Sequence, residues 1–204
     1  MSERRILPLL DAPPLERRDA ARNREALLRA ADELVEEHGL RAVTMEAVAA
    51  RAGVGKGTVF RRFESREGLM AALLNRSETE WQAAVISGPP PLGPGAPPLD
   101  RLLAFGCSRL EATLRHGDLI REAGAAGTRS YAAYSFTMMH VRHLLAELGV
   151  HGDLPLLATA LLAPLELPIL DQQVRVEEFP VDRVLAGWDD LVSRVVGIPV
   201  PPRS

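Results

Sequence analysis

The sequence predicts an all-α fold, with a small three-helix unit at the N-terminus and a larger helical bundle after it. Three observations carry this expectation. Apolar residues recur at i, i+3, i+4 and i+7 in one segment after another, the period of a helix with one buried face. The apolar share is 47% but aromatic residues are only 4%, so the core must be built from Leu, Val and Ala, and Leu and Ala are strong helix formers. Between the periodic segments stand Ser, Thr, Asp and Gly where helices start and stop, and no segment alternates convincingly as a strand does.

Each element follows in order. Residues 1–18 read as a flexible arm, because Pro8, Pro13 and Pro14 oppose regular structure and Arg4, Arg5, Arg17 and Arg18 keep it solvated. Asp19 stands where it can cap a first helix running to about His38. Leu27, Ala30, Ala31 and Leu34 form its inner stripe and Gly39 is the expected stop. Thr44 fits the N-cap of a short second helix whose inner face is Val48, Ala49 and Ala52, ended by Gly53. After a tight turn, a third helix runs from Gly57 or Thr58 to Phe63 and points Val59 and Phe63 inward. Ser65 caps a fourth, from Arg66 to about Ile86. The run GPPPLGPGAPP at 88–98 cannot be helical and reads as a loop. The bundle is completed by helices at Leu99–His116, Asp118–Ala126, Thr128–Leu148, Asp153–Arg175 and Val181–Val196. The expected organisation is therefore an arm (1–18), a helix-turn-helix domain (19–66) and a larger helical domain (67–204).

Composition excludes several classes. One cysteine, Cys107, rules out a disulfide framework within the chain. No secretory signal opens the sequence. The longest apolar stretch, Leu154–Leu170, carries Glu166, Pro155, Pro164 and Pro168, so no membrane partner is expected and the location should be cytoplasmic. No Gly-rich phosphate loop, nucleophile elbow or zinc spacing appears, so neither a catalytic nor a metal site is expected, and no cofactor is implied. Charge is mildly polarised. Residues 1–66 carry 13 basic against 11 acidic side chains, whereas the whole chain has 24 against 27. That is the direction expected if the N-terminal part meets nucleic acid.

The informative stretch is Val43–Phe63, VTMEAVAARAGVGKGTVFRRF. Two short helices meet across a Gly-containing turn. The first is rich in small residues, so the second can pack closely over it. The second has only Val59 and Phe63 to bury and presents Thr58, Phe60, Arg61 and Arg62 elsewhere, with Lys56 just before it. A short helix buried on one side and offering hydrogen-bond donors on the other suits the major groove of DNA.

Residue by residue, the stretch resembles the helix-turn-helix of the TetR (tetracycline-repressor) family. The family's pattern appears as Thr44, Val48-Ala49, Ala52-Gly53-Val54, Gly55-Lys56-Gly57-Thr58, Val59, Phe60, Phe63 and Ser65-Arg66-Glu67-Gly68-Leu69. The likeness reaches back to about Asp19 and covers roughly a quarter of the chain. It departs at Phe60, where the family usually has Tyr, and at Arg66, where it usually has Lys. The resemblance implies that Thr44, Lys56, Gly57, Thr58 and Phe60 contact the DNA backbone, that Arg61 and Arg62 read base edges, and that Arg66 anchors a phosphate. It further implies a homodimer on a palindromic operator in double-stranded DNA, released by a small-molecule inducer bound in the larger domain. Trp81, Phe105, Arg109, Tyr131, Tyr134, Met138, Met139 and His140 are the expected pocket residues, around a mostly apolar cavity. Leu157, Leu161, Leu165, Trp188, Leu191 and Val195 are the expected dimer contacts. Two other readings stand beside this one: a helical protein-interaction module, and a small helical enzyme that does not bind DNA.

Overall fold

The computed structural model describes residues 14–124 and 131–199, with side chains from residue 19 and, in the helix opening at Tyr131, from residue 134. These residues form α-helices joined by turns, and none of them is in a strand. They divide into two compact units, with the boundary between Leu69 and Met70.

In the first unit, α1 spans Pro14–His38. It opens five residues ahead of the expected Asp19 cap. Proline suits a first turn, where its missing N–H would have had no partner and its φ is already helical. Residues 14–18 of the expected arm are thus helical, while residues 1–13, with Arg4 and Arg5, lie outside the described residues. Asp19 is inside the helix and pairs with Arg22. Leu27, Leu28, Ala30, Ala31 and Leu34 make the buried stripe of α1. Gly39, at φ +77°, ends it, and a 3-10 turn at Leu40–Ala42 leads to α2, Met45–Arg51. The Thr44 hydroxyl accepts the Ala47 N–H at 3.0 Å, the cap that the sequence called for. Arg51 closes α2 by clasping α1, with bonds of 2.9 and 2.6 Å to Glu37 and 3.2 Å to Glu33. Gly53, at φ +67°, turns the chain into α3, Lys56–Phe63. Val48 and Ala49 of α2 and Val59 of α3 are all buried.

Helix α4, Arg66–Ser87, opens with the Ser65 hydroxyl accepting the Gly68 N–H at 3.1 Å. The second unit continues through α5 (Pro98–Arg115), α6 (Gly117–Ala123), α7 (Tyr131–Glu147), α8 (Leu154–Leu162), α9 (Leu167–Asp171) and α10 (Val181–Val196). Its core is Leu102, Phe105, Leu110, Val141, Leu144, Leu145, Leu161, Leu165, Trp188 and Val192, with smaller neighbours.

Two expectations fail here. The single helix expected over 153–175 is broken. Asp153 does cap α8, accepting the Leu156 N–H at 3.1 Å, but a 3-10 turn follows at Ala163–Leu165, then the short α9, then a π-turn at Gln172–Val176. Pro164 and Pro168 are the cause, since each lacks the N–H that a continuing helix needs. No single helix among the described residues is long and apolar enough to cross a membrane. The expected dimer contacts also change. Leu161, Leu165 and Trp188 are buried inside their own unit. The Trp188 indole donates to the Leu161 carbonyl at 2.8 Å, and its ring fills the space above Gly106, where a β-carbon would lie 2.1 Å from it. Leu157, Leu191 and Val195 are half-buried against the same core.

Candidate nucleic-acid interface

Helix α3 has three faces, set by its rotation of about 100° per residue. Val59 and Phe63 face inward and are buried. Gly57 and Arg61 lie opposite, pointing straight out, with Thr58 beside them. Arg61 donates to the Thr58 hydroxyl at 3.4 Å. Lys56 and Phe60 occupy the flank toward the start of α2, where Lys56 pairs with Glu46. The same ammonium sits 5.3 Å from the centroid of the Phe60 ring, which is 40% exposed. The Lys56 hydrogen bond, with one from the backbone, holds the Glu46 carboxyl below its ordinary pKa.

Gly55 caps α3 without a side-chain bond, while the Thr58 N–H reaches the Gly55 carbonyl at 2.8 Å. The helix therefore presents its positive end at Lys56 and Gly57. A β-carbon added at Gly57 would meet nothing within 4 Å. The fold itself gives no reason for a glycine there.

Two predicted contacts point elsewhere. Arg62 lies on the opposite flank and donates to the Ala20 carbonyl of α1. Arg66 is half-buried and gives its guanidinium to backbone carbonyls, at 3.0 Å to Val43 and 3.2 Å to Leu40. It ties the 3-10 turn to the start of α4. Sequence reasoning missed Glu46. Its place next to Lys56 depends on how α2 and α3 cross, and no local pattern encodes that crossing.

The second unit holds a cleft of about 310 Å³ between α4, α5 and α6. Trp81 and Arg109 line it, as expected. Phe105 does not. It is fully buried in a ring cluster, 5.2 Å from Trp81 and 5.2 Å from His140 between centroids, and Phe136 completes the stack 6.1 Å from His140. Among the expected pocket residues, these rings pack on one another. Tyr134 (41% exposed) and Met139 (63%) face outward, and Met138 packs against the core with its sulfur 3.8 Å from the Thr159 hydroxyl. The Tyr131 side chain lies outside the described residues. The cleft is instead substantially polar. Arg109, 6% exposed, donates to Glu78 at 2.7 Å with its guanidinium 4.9 Å above the Trp81 ring. His116 is held below its ordinary pKa, chiefly by burial, and its Nδ1 donates to the Ala112 carbonyl at 2.9 Å. Among the described residues no group of His, Cys, Asp and Glu is placed to hold a metal ion.

Residues 27–73 match the sequence pattern of bacterial regulatory proteins of the tetR family. No relative was found among curated proteins. Solved structures share the architecture. A TetR transcriptional regulator from Streptomyces coelicolor aligns with a TM-score of 0.60 at 20% identity, over 87% of this chain and 99% of that one. A TetR-like transcriptional regulator from Rhodococcus sp. RHA1 aligns at 0.55 and 21%, over 86% and 96%. The multidrug binding protein EbrR, solved with imidazole, aligns at 0.54 and 23%, over 97% and 100%. At these identities the likenesses speak for the fold, while the match at 27–73 falls on the helix-turn-helix itself. Residues 27–73 thus carry the helix-turn-helix of bacterial regulatory proteins of the tetR family, within a fold shared with TetR-like transcriptional regulators.

Proposed function

We propose that the protein is a repressor that binds a palindromic operator as a homodimer and releases it when a small molecule occupies the cleft between α4, α5 and α6. The observation that carries the DNA reading is the outward face of α3. Gly57 leaves open space at the positive end of the helix, flanked by Lys56 and by Arg61. A phosphate can approach the bare backbone N–H groups there, while Arg61 reaches a base edge and can read guanine with two hydrogen bonds. Thr44 and Thr58 add hydroxyls, and Phe60 offers an apolar face to the sugars. Arg62, bonded to the Ala20 carbonyl on the surface, and Arg66, bonded to Val43 and Leu40, brace the unit instead of reading bases.

Dimerisation is assigned to the exposed side of α8 and α10, where Leu156, 67% exposed, lies on α8 with Ala160, and Gly187 lies open on α10. Small residues let two copies of such helices approach closely, and a two-fold interface matches a palindromic site. The test is a gel shift on the protein's own upstream DNA combined with light scattering. We expect a dimer that retards one duplex at moderate salt. A monomer, or no preference for any duplex over random DNA, overturns the reading.

A further inference from the structure

We infer that the cleft between α4, α5 and α6 selects an uncharged ligand that carries a carbonyl-type acceptor beside a hydroxyl or amide N–H donor. This deepens the ligand-responsive reading above and rests on it.

Unmet hydrogen bonds and charge in the cleft set the chemistry of what it can hold. Each carboxylate oxygen of Glu78 already accepts one hydrogen bond: Oε2 from Arg109 at 2.7 Å, and Oε1 from Gln82 at 3.2 Å. Arg109 is not so well served. A guanidinium has five N–H donors, and its one hydrogen bond among the described residues is to Glu78. Its buried Nε has no partner among the described residues. Arg109 therefore has donors to spare, and a ligand acceptor would use one. His116 is the converse. Its Nδ1 proton goes to the Ala112 carbonyl, so the neutral ring offers Nε2 as an acceptor to a ligand donor.

Charge then decides the ligand's own charge. Arg109 is already neutralised by Glu78. The remaining charged lining is Glu80, Glu111 and Arg115. A carboxylate ligand would meet three acids against two arginines. A cation would be set against Arg109, whose guanidinium already covers the Trp81 ring. Neither sign finds an uncommitted partner in the interior, and an unpaired charge there is costly. Leu74, Trp81 and Ile120 supply the apolar wall. The volume, about 310 Å³, is at the low end for ligand sites and fits a single substituted ring.

The experiment uses calorimetric titration of the full-length protein at mildly acidic to neutral pH with three probes of similar size: 2-hydroxybenzamide, benzoate and benzamidinium. We expect 2-hydroxybenzamide to bind at least about tenfold more tightly than either ion. The decisive variant is Glu78→Gln, which keeps an acceptor for Arg109 but removes the neutralising charge. It should fold, retain operator binding, and move the preference toward benzoate by about tenfold or more, because the Arg109 charge is then uncompensated. Preference of the wild type for benzoate or benzamidinium, no binding of any probe up to the millimolar range, or an unchanged preference in Glu78→Gln would each overturn the inference. Operator binding by the same preparation, scored without ligand, tests the regulator reading separately.

Discussion

Gly57→Ala separates what the fold needs from what DNA binding needs. Gly57 is the second residue of α3, has ordinary helical backbone geometry, and a methyl group there meets nothing within 4 Å. Alanine should therefore stabilise the first unit by about 0.5–1 kcal/mol, since glycine in a helix loses extra backbone entropy on folding. Against DNA the same methyl stands between a phosphate and the exposed N–H groups at the start of α3. Losing one charge-assisted hydrogen bond per half-site costs about 1.5–3 kcal/mol. A symmetric dimer loses it twice, so operator affinity should fall by at least about a hundredfold. Thermal unfolding reads the first effect, and fluorescence anisotropy on an operator duplex at fixed salt reads the second. A variant that is more stable and still binds with undiminished affinity would refute the argument, because Gly57 would then not mark a close approach.

The flanks of α3 give a contrast. Arg61→Ala should relax base preference at one position per half-site, at about 1–3 kcal/mol for each bidentate arginine–guanine pair removed. Arg62→Ala should leave that preference intact and lower the melting temperature slightly, because its partner is the Ala20 carbonyl; binding-site selection on both variants checks this. Lys56→Ala should weaken binding to all sequences alike and reduce the salt slope by about one unit per charge removed, measured by titrating affinity against salt. A pH effect follows from His140, which burial above all, with the nearby Arg101 and His143, pushes from 6.5 down to about 4. As pH falls below 6.5 the unfolded chain takes up a proton that the folded chain refuses. The stability that His140 contributes is therefore complete above 6.5 and is lost progressively toward 4. His140→Phe should flatten the decline of melting temperature across that window.

Much of the first unit was legible in the sequence because its signals are local. Thr44, Gly53 and Ser65 act on backbone within a few residues, and the structure finds each doing so. Val59 and Phe63 were legible as the buried pair because a helix of eight residues has room for one inner stripe. Arg62 and Arg66 were not. Both are exposed-looking arginines in the sequence, and each is claimed by a carbonyl distant along the chain. The start of α1 was misplaced because three prolines were read as opposing structure, although Pro14 stands where proline favours a helix.

The second unit shows why a stripe of apolar residues does not name its partner. Val184, Trp188, Leu191 and Val195 repeat with a helical period, and that period states only that one face of α10 is covered. What covers it is decided by Gly106 on α5, whose missing side chain is the socket for the Trp188 ring. The stripe consequently closes its own core, and any surface for a second copy must be sought on the residues left outside it. The same logic moved the cleft. Phe105 suits a pocket lining because aromatic rings suit ligands, and His140 suits its polar anchor. Phe105 and Phe136 each stack on the His140 ring instead, with centroids about 5–6 Å apart, so these rings make contacts with one another. Space persists instead beside Glu78 and Arg109. Two charged groups held by one hydrogen bond cannot pack as densely as interlocking apolar side chains, and closing the space over Arg109 would bury donors that have no acceptor. An opening beside a partly satisfied ion pair is thus a consequence of its chemistry.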